Sequence, residues 1–473
     1  MAVTRIATAV QRSGGRALMV GGAVRDAMLG LNPKDVDVEV YGLSPDSLRT
    51  VMTSLGSVNE VGRSFGVIKI RVNGHEIDVS LPRRDSKTAP GHRGFAIETD
   101  AGMDVIEAAR RRDFTINAIL KDPLTNEVID PFNGQRDLNQ HLLRLVDERT
   151  FADDPLRVLR GVQFSGRFEL EVEPKTLAAM KGMIEQLAEL PKERLVEEWA
   201  KLFLRSNHPS RGLEVARQIG YFRRYAPSID RLAETPQGQD VHPEGTVWQH
   251  TLLAVDEAKR LAPKDLAVQL AVLTHDLGKS TTTEMADEQI QSLGHAAAGV
   301  EPAIDFLKSQ GFSDTIIRKV VPLIREHLNP LQLYHQRDHL RPGTIRRLAQ
   351  RIYPATLEQL SQVMAADALG RGPFIQSDGS VARPTTAPAA NWLLAEAQKL
   401  GVDRGRPEPV LWGRDLIERG WGPGKEIGQA IHLADELANQ GQSREEILAI
   451  INQTSRPPEA IAALQSAIQI EAN

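Results

Sequence analysis

The sequence predicts an α/β head followed by a mostly α-helical neck, middle domain and tail. Three observations carry this reading. Short apolar runs at 17–22, 36–40, 67–72 and 76–81 alternate with Gly-rich turns, as strands do. From about Asp154 the spacing turns helical, with Leu156, Leu159, Val162 and Gln163 near i, i+3, i+6 and i+7. Two polar, Pro-containing stretches then interrupt the helical part, 234–244 read as a domain linker and 372–388 as an unstructured segment.

In chain order, 22–29 and 45–55 read as helices between the head strands, giving a small mixed domain. The polar stretch 82–102 has the composition of a mobile loop. The run 191–204 is an amphipathic helix, and helices dominate from Trp248 to about Leu369. With 473 residues the chain exceeds one hydrophobic core. The expected division is a head at 1–140, a neck and body at 141–233, a third domain at 245–371 and a helical tail at 389–473.

Composition narrows the function classes. A hydrophobic fraction of 41% and a charged fraction of 25% describe a globular chain, with no apolar run of membrane-spanning length. The first sixteen residues lack the apolar core of a secretory signal, and there is no cysteine. That removes disulfides, zinc ribbons and thiol catalysis, and fits a cytoplasmic location. A net charge of −5 excludes a uniformly basic coat for nucleic acid but leaves room for a local basic groove.

Chemistry-bearing residues cluster first at 20–39. A strand runs into Gly21-Gly22 and a helix follows, with Arg25 on its first turn. Glycines there let backbone N–H groups approach a triphosphate at a helix N-terminus. Asp35 and Asp37, two apart on a strand, project from one face, and facing carboxylates repel unless a cation lies between them. Taken alone, D-x-D is more often a solvated strand face; its distance from the Gly-Gly-x-x-Arg-Asp turn reverses that balance.

Gly21-Gly22-Ala23-Val24-Arg25-Asp26 with Leu29-Gly30 and Lys34-Asp35-Val36-Asp37 resembles the first motif of class II tRNA nucleotidyltransferases, the CCA-adding and poly(A)-polymerase family. Residues 110–118 (RRRDFTINA) are similar to the second motif, 153–168 to the third, and 193–202 to the neck helix that follows. The resemblance implies a polymerase-β-like nucleotidyltransferase head in which Asp35 and Asp37 hold two Mg²⁺ ions, with Asp78 a further candidate. It implies nucleotide binding by Gly21, Gly22, Arg25, Arg112, Asp113 and Asn117, with Asp113 facing the ribose. Asp154 and Arg157, three apart on one helix face, would read the incoming base, and Arg160 adds a cation one turn on. The plain alternative for that pair is a surface ion pair. This chain has Asp153-Asp154 where the family has Glu-Asp, which keeps the charge and shortens the reach.

Further on, His275-Asp276 rises from an apolar helix, where an imidazole and a carboxylate are costly unless paired or ligating. With His250, His295, His327 and Asp367 this array resembles the HD phosphohydrolase superfamily. The implied ligands of a divalent metal are His250, His275, Asp276 and Asp367, with His295 and His327 candidates for a second ion or for phosphate. Lys279 would steady an anionic substrate. His335, His339 and His242 read as solvated or uncommitted residues.

The resemblance implies extension of a tRNA 3′ end with CTP and ATP, plus hydrolysis of a small phosphoester, with no membrane partner. Poly(A) addition and partial CC or A addition share these motifs. A rival from another class is an HD phosphohydrolase whose head only binds RNA, and the paired Asp35 and Asp37 weigh against it. In the tail, Arg414, Arg419 and Lys425 suit either RNA backbone contact or ordinary packing.

Overall fold

The computed structural model describes residues 2–33, 35–60, 67–87, 95–341, 343–375, 379–406 and 408–472. The chain forms two compact units, Met1–Arg224 and Tyr225–Asn473. Residues 234–244, read from composition as a linker, lie within the second unit.

The first unit is built on a mixed sheet. Its elements begin with α1 (Ala2–Arg12), β1 (Arg16–Val20), α2 (Gly22–Met28), β2 (Val36–Tyr41) and α3 (Pro45–Leu55). Strands β3 (Ser57–Glu60), β4 (Val67–Val72) and β5 (His75–Ser80) follow. Next come β6 (Arg83–Lys87), β7 (Phe95–Thr99), α4 (Val105–Arg110), β8 (Leu120–Lys121) and β9 (Val128–Ile129). Among the described residues one sheet has the order β3-β4-β5-β2-β1-β8-β9, with β2 and β5 parallel and its other pairs antiparallel. Alternation along β2 and β4 sends Val38, Val40, Ile68, Ile70 and Val72 into a core closed by α1 and α3. Helix α3 starts where its sequence demands it: the Ser44 side chain accepts from the Ser47 amide, Pro45 occupies the first turn, and Leu48 and Met52 are buried one turn apart.

The stretch 82–102 is not a loop throughout. β6 and β7 pair antiparallel from Arg83↔Thr99 to Lys87↔Phe95, so a hairpin flanks residues 88–94, which lie outside the described residues. Backbone pairing between distant polar segments stabilises it, and composition carries no record of that pairing.

Two helices complete the part that positions the site, α5 (Leu156–Phe168) and α6 (Lys192–Arg205). Leu195, Trp199, Leu202 and Phe203 bury one stripe of α6, and Leu156, Leu159 and Val162 do the same on α5. The two helices pack against each other.

The second unit is helical around α7 (Val247–Leu261), α8 (Leu266–Thr274), α9 (Asp314–Glu326) and α10 (Leu357–Leu369), with α7 packed on both α8 and α10. It is not purely helical: Glu284–Ala286 and Gln289–Gln291 form one hairpin, and Phe374–Ile375 and Val381–Ala382 another. The second hairpin corrects the reading of 372–388 as unstructured; residues 376–378 lie outside the described residues. The tail closes its own apolar cluster through Leu411, Leu416, Leu437, Ile447 and Leu464. There Arg419 bonds the Asp415 carbonyl and the Asn452 side chain, and Arg414 lies over the Trp412 ring, so packing engages both. Among the described residues no helix is long and apolar enough to cross a membrane.

Candidate active sites

In the first unit a cleft of about 1940 Å³ collects residues from β1, β2, β5, α5, α6 and the 110–117 segment. Asp37 is in register with Val20 on one side and with Asp78 on the other, so these two carboxylates stand on adjacent parallel strands. Asp35 lies just before β2, beside Lys34, which is outside the described residues. Burial raises the Asp37 carboxyl above its ordinary value; Asp78 and Asp35 add to this while Arg112 opposes it. Lys69 partly offsets Asp78, its ammonium 3.3 Å from the carboxylate. Asp37, raised in this way, with Asp35 and Asp78 beside it on the cleft wall, suits a divalent cation.

Gly21 has φ +67, a conformation few side chains adopt, and a Cβ there would stand 3.0 Å from Arg112 Nη1. That bare backbone is what lets the arginine reach the turn. Arg25, implied as a nucleotide-binding residue, lines the cleft and is tied down within it. It is 4% exposed, donates to Asp26 and Asn117, and stacks over Phe168 at 4.3 Å. Its guanidinium ties α2 to the second motif and to α5.

Asp113 is a hub. Its Oδ1 accepts from the Phe114 amide and Asn117 Nδ2, and Oδ2 accepts from Arg160 Nε at 2.7 Å. Burial works to raise this carboxyl, but the Arg160 charge and these hydrogen bonds outweigh it and hold it low. Asp113, Asn117 and Arg160 therefore form one buried assembly.

Asp154 and Arg157 do not share a helix face. α5 begins at Leu156, after Pro155, so Asp154 stands in the preceding turn, its Oδ1 accepting from the Leu156 amide and its Oδ2 from Arg194 at 2.9 Å. Arg157 donates to the Thr150 and Arg111 carbonyls. Both residues line the cleft; the Arg157 amide donates to the Asp154 carbonyl, while their side chains bond other partners.

Sequence reading missed Glu39. It is fully buried, receives Arg111 at 2.6 Å and Tyr41 at 2.8 Å, and holds Arg112 at 3.6 Å. Burial raises its carboxyl, and the two arginines more than reverse that. The signal was present: D-V-D-V-E repeats a carboxylate every second residue on one strand face.

The second unit gathers His250, His275, Asp276, His295, His327 and Asp367 in one buried cluster. Three sets of His, Asp and Glu here bring their ligand atoms within 4.8 Å of one another: His242-Glu244-His250, His250-His275-Asp276 and Asp276-His295-His327. His250 Nε2 is 3.1 Å from Asp367 Oδ1, and His275 Nε2 is 3.2 Å from Asp276 Oδ2, yet neither nitrogen makes a hydrogen bond. Buried ring nitrogens facing carboxylates at 3.1 and 3.2 Å fit a shared cation. His295 Nε2 lies 3.2 Å from Asp276 Oδ1 and 3.3 Å from His327 Nε2. The opposite ring nitrogens are all anchored: Nδ1 of His275, His295 and His327 bond the carbonyls of Val272, Ser292 and Ile324, each at 2.7 Å. This leaves Nε2 free to ligate. Burial lowers His327 to about 4, which keeps its ring neutral.

Lys279 bridges Asp276 and Gln237, both at 2.8 Å, and Arg371 pairs with Asp367 at 3.2 Å. Gly278 is obligatory at this junction, since a Cβ would come within 2.0 Å of the His295 carbonyl. Burial raises Asp276, but His275 and Lys279 hold it well below the carboxylate range. His335 and His339 are exposed, away from buried partners.

Three family descriptions match along the chain. Residues 17–144 match the family described as Poly A polymerase head domain, 169–232 the Probable RNA and SrmB- binding site of polymerase A, and 247–371 the HD domain. A Multifunctional CCA protein of Xanthomonas campestris pv. campestris (strain B100) is 37% identical over 325 residues, 68% of this chain and 77% of that protein. One from Methylobacillus flagellatus is 40% identical over 289 residues, covering 60% and 67%. Among solved structures, the Bacillus stearothermophilus CCA-adding enzyme in complex with CTP aligns over 99% of this chain and 97% of that one, with TM-score 0.62 and 20% identity. The Thermotoga maritima CCA-adding enzyme complexed with tRNA aligns over 94% of each, with TM-score 0.58 and 19% identity, which speaks for the fold. With a poly A polymerase head in front and an HD domain behind, the chain belongs to the family of multifunctional CCA proteins.

Proposed function

We propose that the chain adds CCA to tRNA 3′ ends from CTP and ATP, and that its HD domain is a divalent-metal phosphohydrolase acting on small phosphoesters. The observation that carries the first part is the single cleft in which Asp35, Asp37 and Asp78 face Gly21, Arg112 and the Asp113 assembly. The tRNA 3′-OH attacks the α-phosphorus, the bond to the β-phosphate oxygen breaks and pyrophosphate leaves. Mg²⁺ held by Asp35 and Asp37 would supply charge neutralisation and orientation of the triphosphate. Arg112 and the backbone N–H groups of the Gly21 turn bind phosphate oxygens. Asn117 and Asp113 position the sugar, and Arg25 and Glu39 keep the binding residues in place.

The test is to offer tRNA ending before CCA, after C or after CC, with labelled CTP and ATP given separately, and to sequence the products. Ordered C, C, A addition is expected. Extended A runs, or a stop after CC, would replace this reading by poly(A) or partial addition.

Base choice is assigned to Asp154. Cytosine and adenine offer an amino donor to its carboxylate, whereas uracil and guanine oppose a carbonyl, two acceptors without a proton, at about 1–3 kcal/mol. Arg157, committed to carbonyls, shapes the wall of the pocket. Asp154→Ala is expected to slow CTP and ATP incorporation and become relatively permissive toward UTP and GTP. Measuring all four nucleotides at equal concentration checks it; an unchanged preference places selection elsewhere in the cleft.

A further inference from the structure

We propose that Glu244 is the positioning residue of the HD metal centre, fixing the ring and tautomer of His250 and tethering the segment that carries Asp367. The proposal rests on the metal-centre reading above. His275, His295 and His327 each bond Nδ1 to the carbonyl three residues earlier. His250 stands inside α7, where its own amide takes the Thr246 carbonyl and the Val247 carbonyl, three residues earlier, accepts from the Thr251 hydroxyl. It therefore needs an acceptor from outside the helix.

Glu244 supplies one. Its side chain is 2% exposed, and its Oε1 accepts from His250 Nδ1 at 2.9 Å and from His242 Nδ1 at 2.8 Å. Its Oε2 accepts from the Gly372 amide at 2.9 Å. Gly372 directly follows Arg371, whose guanidinium meets both oxygens of Asp367 at 3.2 Å. One carboxylate thus joins the 242–246 turn, the His250 ring and the end of the α10 segment. With Nδ1 held by Glu244, His250 turns Nε2 toward Asp367 Oδ1, 3.1 Å away, where a shared cation would take it as a ligand. The turn is built for this: Gly245 has φ +114, and Thr246 with Gln249 forms a capping box that sets where α7 begins. His242 covers the far side of the carboxylate, its ring 4.9 Å from that of His250.

The experiment uses the full chain in an Asp35→Asn, Asp37→Asn background, so that the head does not contribute metal sites. Mn²⁺ affinity and stoichiometry are measured by calorimetry, and the Co²⁺ absorption bands by spectroscopy. The wild-type HD domain is compared with Glu244→Gln and with Thr246→Ala, which removes the cap of the same helix without touching the cluster. Glu244→Gln is expected to lose about 10–100-fold in Mn²⁺ affinity and to shift the Co²⁺ bands. Thr246→Ala is expected to bind nearly as wild type while melting earlier. Should Glu244→Gln fail to fold, Glu244→Asp, still charged but one methylene short, serves in the same comparison and is expected to bind more weakly. Equal affinity and unchanged bands in the Glu244 variant overturn the positioning role while the metal centre stands. Loss of one whole ion, with the remainder bound normally, makes Glu244 a ligand instead and also overturns it. No metal uptake by the parent protein removes the metal reading itself, and the proposal with it.

Discussion

Asp35→Ala or Asp37→Ala is expected to reduce CMP and AMP incorporation by at least about 10³-fold, which corresponds to about 4 kcal/mol of transition-state stabilisation. The size follows from where these acids stand. The Asp37 backbone is paired between Val20 and Asp78 in the middle of the sheet, which sets its carboxylate beside that of Asp78 at the cleft. Burial and two like charges raise its proton affinity, and that unfavourable placement is compensated when a cation is bound. Removing one acid relieves the repulsion and the metal site together, so the protein should fold at least as well while losing activity. Asp37→Asn, which keeps shape and loses charge, should behave like alanine. Hydrolysis by the HD domain provides the control, since its ligands come from other elements. Near-normal incorporation by either variant would sink the assignment of these carboxylates.

How much of this was legible in the sequence depended on whether the determining interaction was local. Helix α3 was read to the residue because Ser44, Pro45 and the Leu48/Met52 spacing are local signals. The β6–β7 hairpin was missed because Arg83 finds Thr99 across sixteen positions, and nothing in its composition marks that partner. At the site, a strand period of two placed Asp35 and Asp37 together, and the same period would have added Glu39. The expectation of Asp154 and Arg157 on one helix face failed at Pro155, where the helix starts one residue later and the aspartate closes a turn instead. Arg194, its actual partner, comes from α6, and no spacing rule joins residues 40 apart. Glu244 was hidden inside a stretch read as linker. Its clue was Thr246 and Gln249, a Thr-x-x-Gln capping box that announces a helix and places His250 inside that helix, away from a free carbonyl.

The HD site offers the second large effect. His275→Ala or Asp276→Ala is expected to eliminate hydrolysis of small phosphoesters such as 2′,3′-cyclic nucleotides while sparing CTP and ATP incorporation. Asp276 is the residue on which the cluster converges: Oδ2 lies near His275 and Lys279, and Oδ1 near His295. Without it, three groups with positive or metal-directed character lose their shared anion inside a dry site, a change worth several kcal/mol. His275→Ala removes an Nε2 that faces Asp276 without a hydrogen bond, so the lost hydrolysis reports ligation. The two variants therefore predict different stabilities. Asp276→Ala should lower the melting temperature, because Lys279 is left buried with only Gln237 to receive it. His275→Ala should lower it less, since only the Nδ1 bond to Val272 is lost. Hydrolysis screened with Mg²⁺, Mn²⁺, Ni²⁺ and Co²⁺, alongside thermal melts of both variants, separates ligation from packing. Wild-type hydrolysis that survives in His275→Ala would remove this histidine from the metal centre, and an absence of hydrolysis in the parent protein with every ion would leave the cluster a structural one.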